Sequence, residues 1–548
     1  MKKQYYNIFG KIKNNNGITL GALVITIIVL LILAGITVAA LTGSNGVIDR
    51  TVNAKNMTNK GAILEKIKLE CLALTNSDEI KNKDSKEIFE IIKENLDLND
   101  ANFKIYSKCM HITTKEGWNY TVGFDLSIYE ELVAYLDIAD GSIDLKQKGY
   151  IQNNQPLVKY DGKYVITGTT KDNVVRVMEE GTYNIILKDL NIDVSEKKYG
   201  NTNQGYCAFN ANRGAKSTGC FVNIILEGEN YLIGGSDGPG LGFSKAKPNV
   251  DGERNGSTLT IDGNGSLYAK AGPWASGIGS GYTGWEASSG NVSNIIINGG
   301  NIEAVATING AGIGSALHAS VNNIIINGGN IIARGGNGSG IGVRNKSADN
   351  IIINGGNIEA YGSDYGSGIG GGESGSLKIT GGNIYSTTRS ANYSAIGNKC
   401  TSVKIEGGTI RANSNRNAGI YGKDGSVEIT GGNILLNAKG DIGTIEGNSF
   451  IKDEPKSGDN KLYLSRIKLS DVEGNIKIES LVISGDISYG TNDVYTLEDD
   501  EKTIDIDETG MLYLYLPKGK RRIDIKVKGK EFSGEIETNE ENSISILE

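Results

Sequence analysis

Proline is scarce in this chain, at 6 of 548 residues, and histidine occurs only twice. So little proline excludes a collagen or a proline-rich linker. Two histidines, His111 and His318, leave little for a histidine-based metal or catalytic site. No metal and no cofactor is therefore expected. The five cysteines (Cys71, Cys109, Cys207, Cys220, Cys400) form no CxxC pair and no zinc spacing. Cys207 and Cys220 can pair across one loop, although free thiols fit the pattern better. The net charge of −8 is spread along the chain with no basic stripe, so nucleic acid is not an expected partner.

What the chain has in excess is glycine, 76 residues, and much of it recurs at a fixed place. Glycine pairs fall at Gly299-Gly300, Gly328-Gly329, Gly355-Gly356, Gly381-Gly382, Gly407-Gly408 and Gly431-Gly432, with spacings of 29, 27, 26, 26 and 24 residues. Each pair follows an apolar strand and precedes an apolar pair and a small-residue corner. A repeat of this period means a stacked solenoid. Ile295/Ile297, Ile324/Ile326, Ile351/Ile353, Leu377/Ile379, Val403/Ile405 and Val427/Ile429 alternate with other residues, which places them on one inward face. Ile302, Ile331, Ile358, Ile384, Ile410 and Ile434 form a second inward column, and Ile313, Ile341, Ile369, Ile396, Ile420 and Ile442 a third. Asn301, Asn330, Asn357 and Asn383 follow the glycine pairs and are expected to stack as a hydrogen-bonded ladder.

Three apolar columns per turn describe a three-sided parallel β-helix. The pattern resembles the right-handed, pectate-lyase-like β-helix superfamily, and more closely the Gly-Ile-Gly repeats of Gram-positive surface proteins. The handedness is what that resemblance implies. Fainter rungs start at Ile185, Ile224 and Leu259, so nine rungs at about 4.8 Å each make a rod roughly 40 Å long. Its open ends need caps, which residues 146–180 and the region after Ile442 are expected to supply.

Before the repeat, Ile18 to Leu41 is uncharged and almost wholly apolar, with Lys2, Lys3, Lys11 and Lys13 ahead of it. At about 1.5 Å per residue it is long enough for a membrane-spanning helix with its N-terminus in the cytoplasm. A signal peptide cleaved near Ala39 or Ala40 is the alternative. The junction Asn16-Gly17-Ile18-Thr19-Leu20 resembles the type IV prepilin motif, over about residues 11–75. The resemblance implies cleavage between Gly17 and Ile18 by a prepilin peptidase. Pilins usually carry Glu at the fifth mature position, where this chain has Ala22, so a minor subunit at a pilus or pseudopilus tip, or a plain anchor, fits better than a major pilin. Thr51 to Thr75 and Ser85 to Leu96 read as helices, the second capped by Asp84. From Lys452 the glycine repeat gives way to short alternating strands, which predict a small β-sandwich. The expected organisation is a leader (1–17), a transmembrane helix (18–41), a pilin-like stalk and small α+β unit (42–145), the parallel β-helix (146–451) and the β-sandwich (452–548).

Function should lie where the repeat breaks. The spacing between strand starts shrinks along the chain, 39, 35 and 36 residues, then 29 falling to 24. The surplus forms insertions near 210–221, 243–257 and 280–293, all at one corner of adjacent rungs. Insertions on one face of a solenoid often build its binding surface. They carry Phe243, Arg254, Tyr282 and Trp285, with Trp274 just before the corner and His318 and Arg344 at the same corner further on. Aromatics beside charged groups suit a sugar or a protein partner. Loops that merely cover the rod are the plainer reading. A second irregularity is the outward column Ile296, Ile325 and Ile352, which an exposed surface would leave unusual unless something covers it.

The best carboxylate pair is Glu303 and Glu359, two rungs apart with Ile332 between, or roughly 10 Å. That separation is marginal for an inverting glycosidase, and no nucleophile triad or lyase-like cluster accompanies it. A polysaccharide lyase or hydrolase is thus an alternative to the main expectation. That main expectation is a single-pass cell-surface protein, anchored at its N-terminus with its bulk outside, that binds a surface glycan or a protein of a host or neighbouring cell, or associates with pilin subunits.

Overall fold

Each described repeat folds as one turn of a parallel β-stack, and the glycine pair makes the bend between its first and second strands; Gly431-Gly432 and Ile442 lie outside the described residues. The computed structural model describes residues 47–98, 100–198, 206–212, 219–243, 257–281, 291–344, 346–372, 374–390, 392–397, 402–414, 419–422, 427–429, 433–438, 462–472, 476–485, 495–497, 505–506, 511–517, 519–538 and 544–547. The chain divides into two units, Met1–Leu132 and Val133–Glu548. Gly17, Ile18 and the apolar run 18–41 lie outside the described residues. Among those that are described, no helix is long and apolar enough to cross a membrane.

The first unit holds helix α1 (Val47–Thr75), helix α2 (Ser85–Asn95) and an antiparallel sheet of four strands, β1 (Asn102–Ile105), β2 (Cys109–Thr113), β3 (Asn119–Gly123) and β4 (Ile128–Tyr129). The start of α2 is a capping box: Glu87 N–H donates to Asp84 Oδ1 and Asp84 N–H to Glu87 Oε2, each at 2.9 Å. Ile67, Cys71 and Leu74 of α1 and Phe89 and Ile92 of α2 pack with Met110, Ile112, Tyr120 and Val122 of the sheet. Leu72 is exposed, because the i, i+4 partner of the buried Ile67 is Cys71.

The second unit is the stack. Its first strands, among them Val292–Ile297, Val321–Ile326 and Ser347–Ile353, pair in parallel, and so do its second strands, among them Asn301–Val305, Asn330–Arg334 and Asn357–Gly362. Two-residue bridges such as Ile313–Gly314, Ile341–Gly342 and Ile369–Gly370 form a third parallel column. The three inward columns fall where the alternation puts them. Ile324, Ile326, Ile331 and Ile341 are buried, and so are their equivalents on neighbouring rungs. At roughly 2 kcal/mol per buried isoleucine these columns are the main source of stability. The second glycine of each pair is needed for its backbone: Gly300, Gly329, Gly356 and Gly382 have φ between 91° and 98°. The first is needed for space, since a Cβ on Gly328 would stand 2.7 Å from the Asn298 carbonyl oxygen one rung below.

The asparagine ladder is present and is one of three. Asn330 Nδ2 donates to Asn301 Oδ1 at 2.7 Å and Asn357 Nδ2 to Asn330 Oδ1 at 2.8 Å. Asn327 and Asn354 repeat this on Asn298 and Asn327, both at 2.8 Å. Asn323 and Asn350 do the same on Asn294 and Asn323. Ile296, Ile325 and Ile352 stack in register between two of these ladders and are half-buried.

The stack starts earlier than the glycine repeat. Val133–Asp137 pairs in parallel with Lys163–Thr170, which pairs in parallel with Gly181–Asp193, and Ile143–Lys146 and Val175–Val177 open the third column. Residues 133–145 thus belong to the rod, and residues 146–180 form rungs as well as an end cap. These rungs carry the apolar alternation without the glycine pair that advertises the later ones. The antiparallel strands Gly149–Gln152 and Val158–Lys159 finish the edge of the third column. At the other end Met511–Pro517 pairs antiparallel with the last second strand, Leu436 opposite Tyr515, and so covers an open strand edge. The same strand pairs with Leu462–Leu469, and this sheet shares one core with a second sheet ordered Tyr495–Leu497, Ser480–Gly485, Gly519–Val527 and Lys530–Thr538.

Candidate functional site

The second strands carry the irregular side chains. Their inward positions are uniform, Ile then Ala, in Ile302/Ala304, Ile331/Ala333 and Ile358/Ala360. Their outward positions share a face by period two but no longer repeat. One outward column runs Tyr231, Tyr268, Glu303, Ile332, Glu359, Tyr385, Arg411. The next runs Lys270, Val305, Arg334, Tyr361, Thr387, Asn413.

These unlike residues interlock across rungs. Arg334 Nε lies 3.5 Å from Glu303 Oε1, and its guanidinium stands 4.3 Å from the centre of the Tyr361 ring. Tyr361 donates its hydroxyl to Glu359 Oε2 at 2.7 Å, and its ring meets Tyr385 edge-on at 5.9 Å. Tyr385 hydrogen-bonds with Asn413 and Thr387. Burial, then the Glu359 hydrogen bond, raises the Tyr361 phenol well above its usual range. Burial pushes Tyr385 up to about 12. Both phenols are therefore neutral at ordinary pH, and Tyr361 serves as a donor.

Beside this network is a cleft of about 550 Å³ lined by Arg334, Tyr361, Ser363, Tyr385, Thr387 and Arg389, with glycines 335, 336 and 362 in its wall. Among the described residues its lining includes two arginines and no carboxylate, on a chain of net charge −8. Arg389 is exposed and pairs with no acid among the described residues. Ser363 Oγ is buried and has no hydrogen-bond partner among them. The cleft crosses the rungs of Arg334, Tyr361, Tyr385 and Asn413, about 14 Å along the rod. Hydroxyl-bearing and anionic groups match such a wall.

The residues singled out from the sequence divide. Arg254, Tyr282 and Trp285 lie outside the described residues. Phe243 is fully buried in the core of the stack. It follows Leu241 by two positions, so the alternation turns it inward, as it turns Val343 after Ile341, and it is not available to a ligand. Trp274 is half-buried in a turn with φ of 66°. Arg344 and Leu317, the residue before His318, both bond Asn309: Arg344 Nη1 donates to Asn309 Oδ1, and Leu317 N–H donates to Asn309 O at 3.1 Å. Glu303 and Glu359 stand in the expected register with Ile332 between them, the first paired with Arg334 and the second bonded by Tyr361. Arg334, Tyr361, Tyr385 and Arg389 were missed. Following the outward positions of the second strands rung by rung would have found three of them. Cys207 and Cys220 are buried and are not joined as a disulfide.

The family model described as Beta helix repeat matches residues 259–282 and 351–373, each stretch running from a first strand to the third corner. Those rungs are similar to that repeat, in agreement with the parallel stack. No curated protein matches the chain, and no solved structure does.

Proposed function

We propose that this is a cell-surface protein whose rod binds an acidic glycan laid along the second-strand cleft. The carrying observation is the lining itself: two arginines, of which Arg334 is paired with Glu303 and Arg389 meets no acid among the described residues, among tyrosine, threonine and serine side chains. Guanidinium groups take carboxylate or sulfate oxygens in paired hydrogen bonds, and the hydroxyls suit sugar oxygens. The apolar run 18–41 would hold the chain in the membrane. Titration calorimetry of the full-length protein in detergent tests the reading, with an oligogalacturonate and its uncharged methyl ester as probes. The acid should bind, and Arg389→Gln should weaken it about tenfold, or about 1.4 kcal/mol. Equal binding of acid and ester would remove the acidic class, and no binding of either would remove the glycan.

The Gly17–Ile18 junction favours a second placement, as a minor pilin-like subunit. Sequencing the mature N-terminus tests it: a start at Ile18 supports the placement and an intact leader rejects it. Cleavage of a polysaccharide that stops in Glu303→Gln would instead favour an enzyme built on Glu303 and Glu359.

A further inference from the structure

Arg344 is a half-buried cation that faces no carboxylate among the described residues. Its contacts are the Asn309 amide oxygen and the ring of Tyr365, 5.0 Å from the guanidinium carbon. Asn337 Nδ2 donates to the same Asn309 oxygen at 3.2 Å, which fixes that oxygen toward the arginine. Burial lowers the Arg344 pKa, and the phenols of Tyr365 and Tyr393 oppose that shift. A guanidinium has five N–H donors, and among the described residues one side-chain acceptor, Asn309 Oδ1, is bonded to it. Tyr365 is 52% exposed and Ile308 42% exposed, so the turn around the arginine presents apolar surface as well.

This turn adjoins the cleft. Thr307 and Ser363 line the cleft, and Asn309 and Tyr365 lie two residues further along the same turns. Two residues span at most about 7 Å of backbone. The bonds from Gly336 N–H to Gly310 O (3.1 Å) and from Ser363 N–H to Gly338 O (3.3 Å) hold the successive turns together. At the junction sits the partnerless Ser363 Oγ.

We infer that Arg344 is a second anion-binding point for the ligand of the cleft: the glycan leaves the cleft over Thr307 and Ser363, and a further acidic sugar sets its carboxylate on the Arg344 guanidinium. Tyr365, exposed at the turn, then packs against the ring that carries the carboxylate. This rests on the reading of the cleft as an acidic-glycan site. Its particular consequence is length dependence, because a segment long enough to reach both points binds the second one intramolecularly.

The test is calorimetry of the full-length protein with oligogalacturonates of increasing length. Affinity should rise about tenfold at the length that first bridges cleft and turn. Arg344→Gln should abolish that rise and leave the short oligomers unaffected, while Arg344→Lys, which keeps the charge and loses the fork, should restore part of it. Tyr365→Ser, at an exposed position, should also reduce the rise and serves if the arginine variants unfold. A rise that survives both Arg344→Gln and Tyr365→Ser overturns the inference, and so does an equal loss for short and long oligomers. Binding that follows length but ignores Arg389→Gln would leave Arg344 standing and remove the cleft reading. No binding at any length overturns both.

Discussion

The first-strand and second-strand faces of the rod share one core and differ outside it. On the first face three successive rungs present the same outward set, Asn294-Ile296-Asn298, Asn323-Ile325-Asn327 and Asn350-Ile352-Asn354. On the second face the same rungs present Glu303 and Val305, Ile332 and Arg334, Glu359 and Tyr361. A uniform column can satisfy itself, each asparagine bonding its own kind one rung away. An irregular column must bond unlike neighbours, and some capacity is left over, at Arg389 and Ser363. Stacking stability comes from what repeats, and binding capacity from what does not.

Four measurements can break or sharpen that contrast. The largest effect should come from a change that both faces depend on. Gly342 has φ of 128°, and a Cβ there would stand 2.1 Å from the Gly370 carbonyl oxygen. Gly342→Ala should lower unfolding stability by about 3 kcal/mol or more in denaturant, because neither the dihedral nor the neighbouring rung can relax. A loss under about 1 kcal/mol would mean that the third column is not tightly packed.

Next is the part of the alkaline transition that comes from the second face. Burial raises the Tyr385 phenol from its ordinary value of 10.0 to about 12. The folded pKa lies above the unfolded one, so this stabilisation is complete below pH 10 and is lost as pH rises toward 12, about 2 to 3 kcal/mol in all. Tyr385→Phe should remove that part of the pH dependence, as read from denaturation midpoints at pH 9 and 11.5.

The third effect separates the faces by binding. Arg389→Gln should cost about tenfold in affinity for an acidic oligosaccharide, about 1.4 kcal/mol, whereas Ile325→Gln on the first face should leave affinity unchanged. If Ile325→Gln weakens binding as much, the ligand lies on the wrong face of this account. The smallest is a ladder change: Asn330→Ala should cost about 1 kcal/mol of stability, the net worth of a hydrogen bond or two, without moving affinity.

Much of the rod is legible before folding. The glycine pairs mark the bend, the alternation names Ile324 and Ile326 as inward, and Asn301, Asn330 and Asn357 announce their ladder. The early rungs at Val133–Asp137 and Lys163–Thr170 are harder to see, because alternating apolar residues without a glycine pair read equally well as an ordinary sheet. Phe243 was misjudged as a loop residue although it continues the alternation from Leu241. The candidate site was only partly visible. Glu303 and Glu359 are found by counting rungs, but Arg334, Tyr361, Tyr385 and Arg389 sit on separate rungs and share no local motif.

The period, the three inward columns and the places where the backbone must be glycine are properties of the sequence alone, because each depends on contacts between residues in equivalent positions, and equivalence can be counted. Which outward side chains meet is a property of the tertiary structure. Arg334 reaches Tyr361, and Arg344 reaches back to Asn309, through a register that sums every turn length between them. A one-residue difference in any of those turns would move a side chain to the other face, so only the folded stack decides which charges and rings form the cleft.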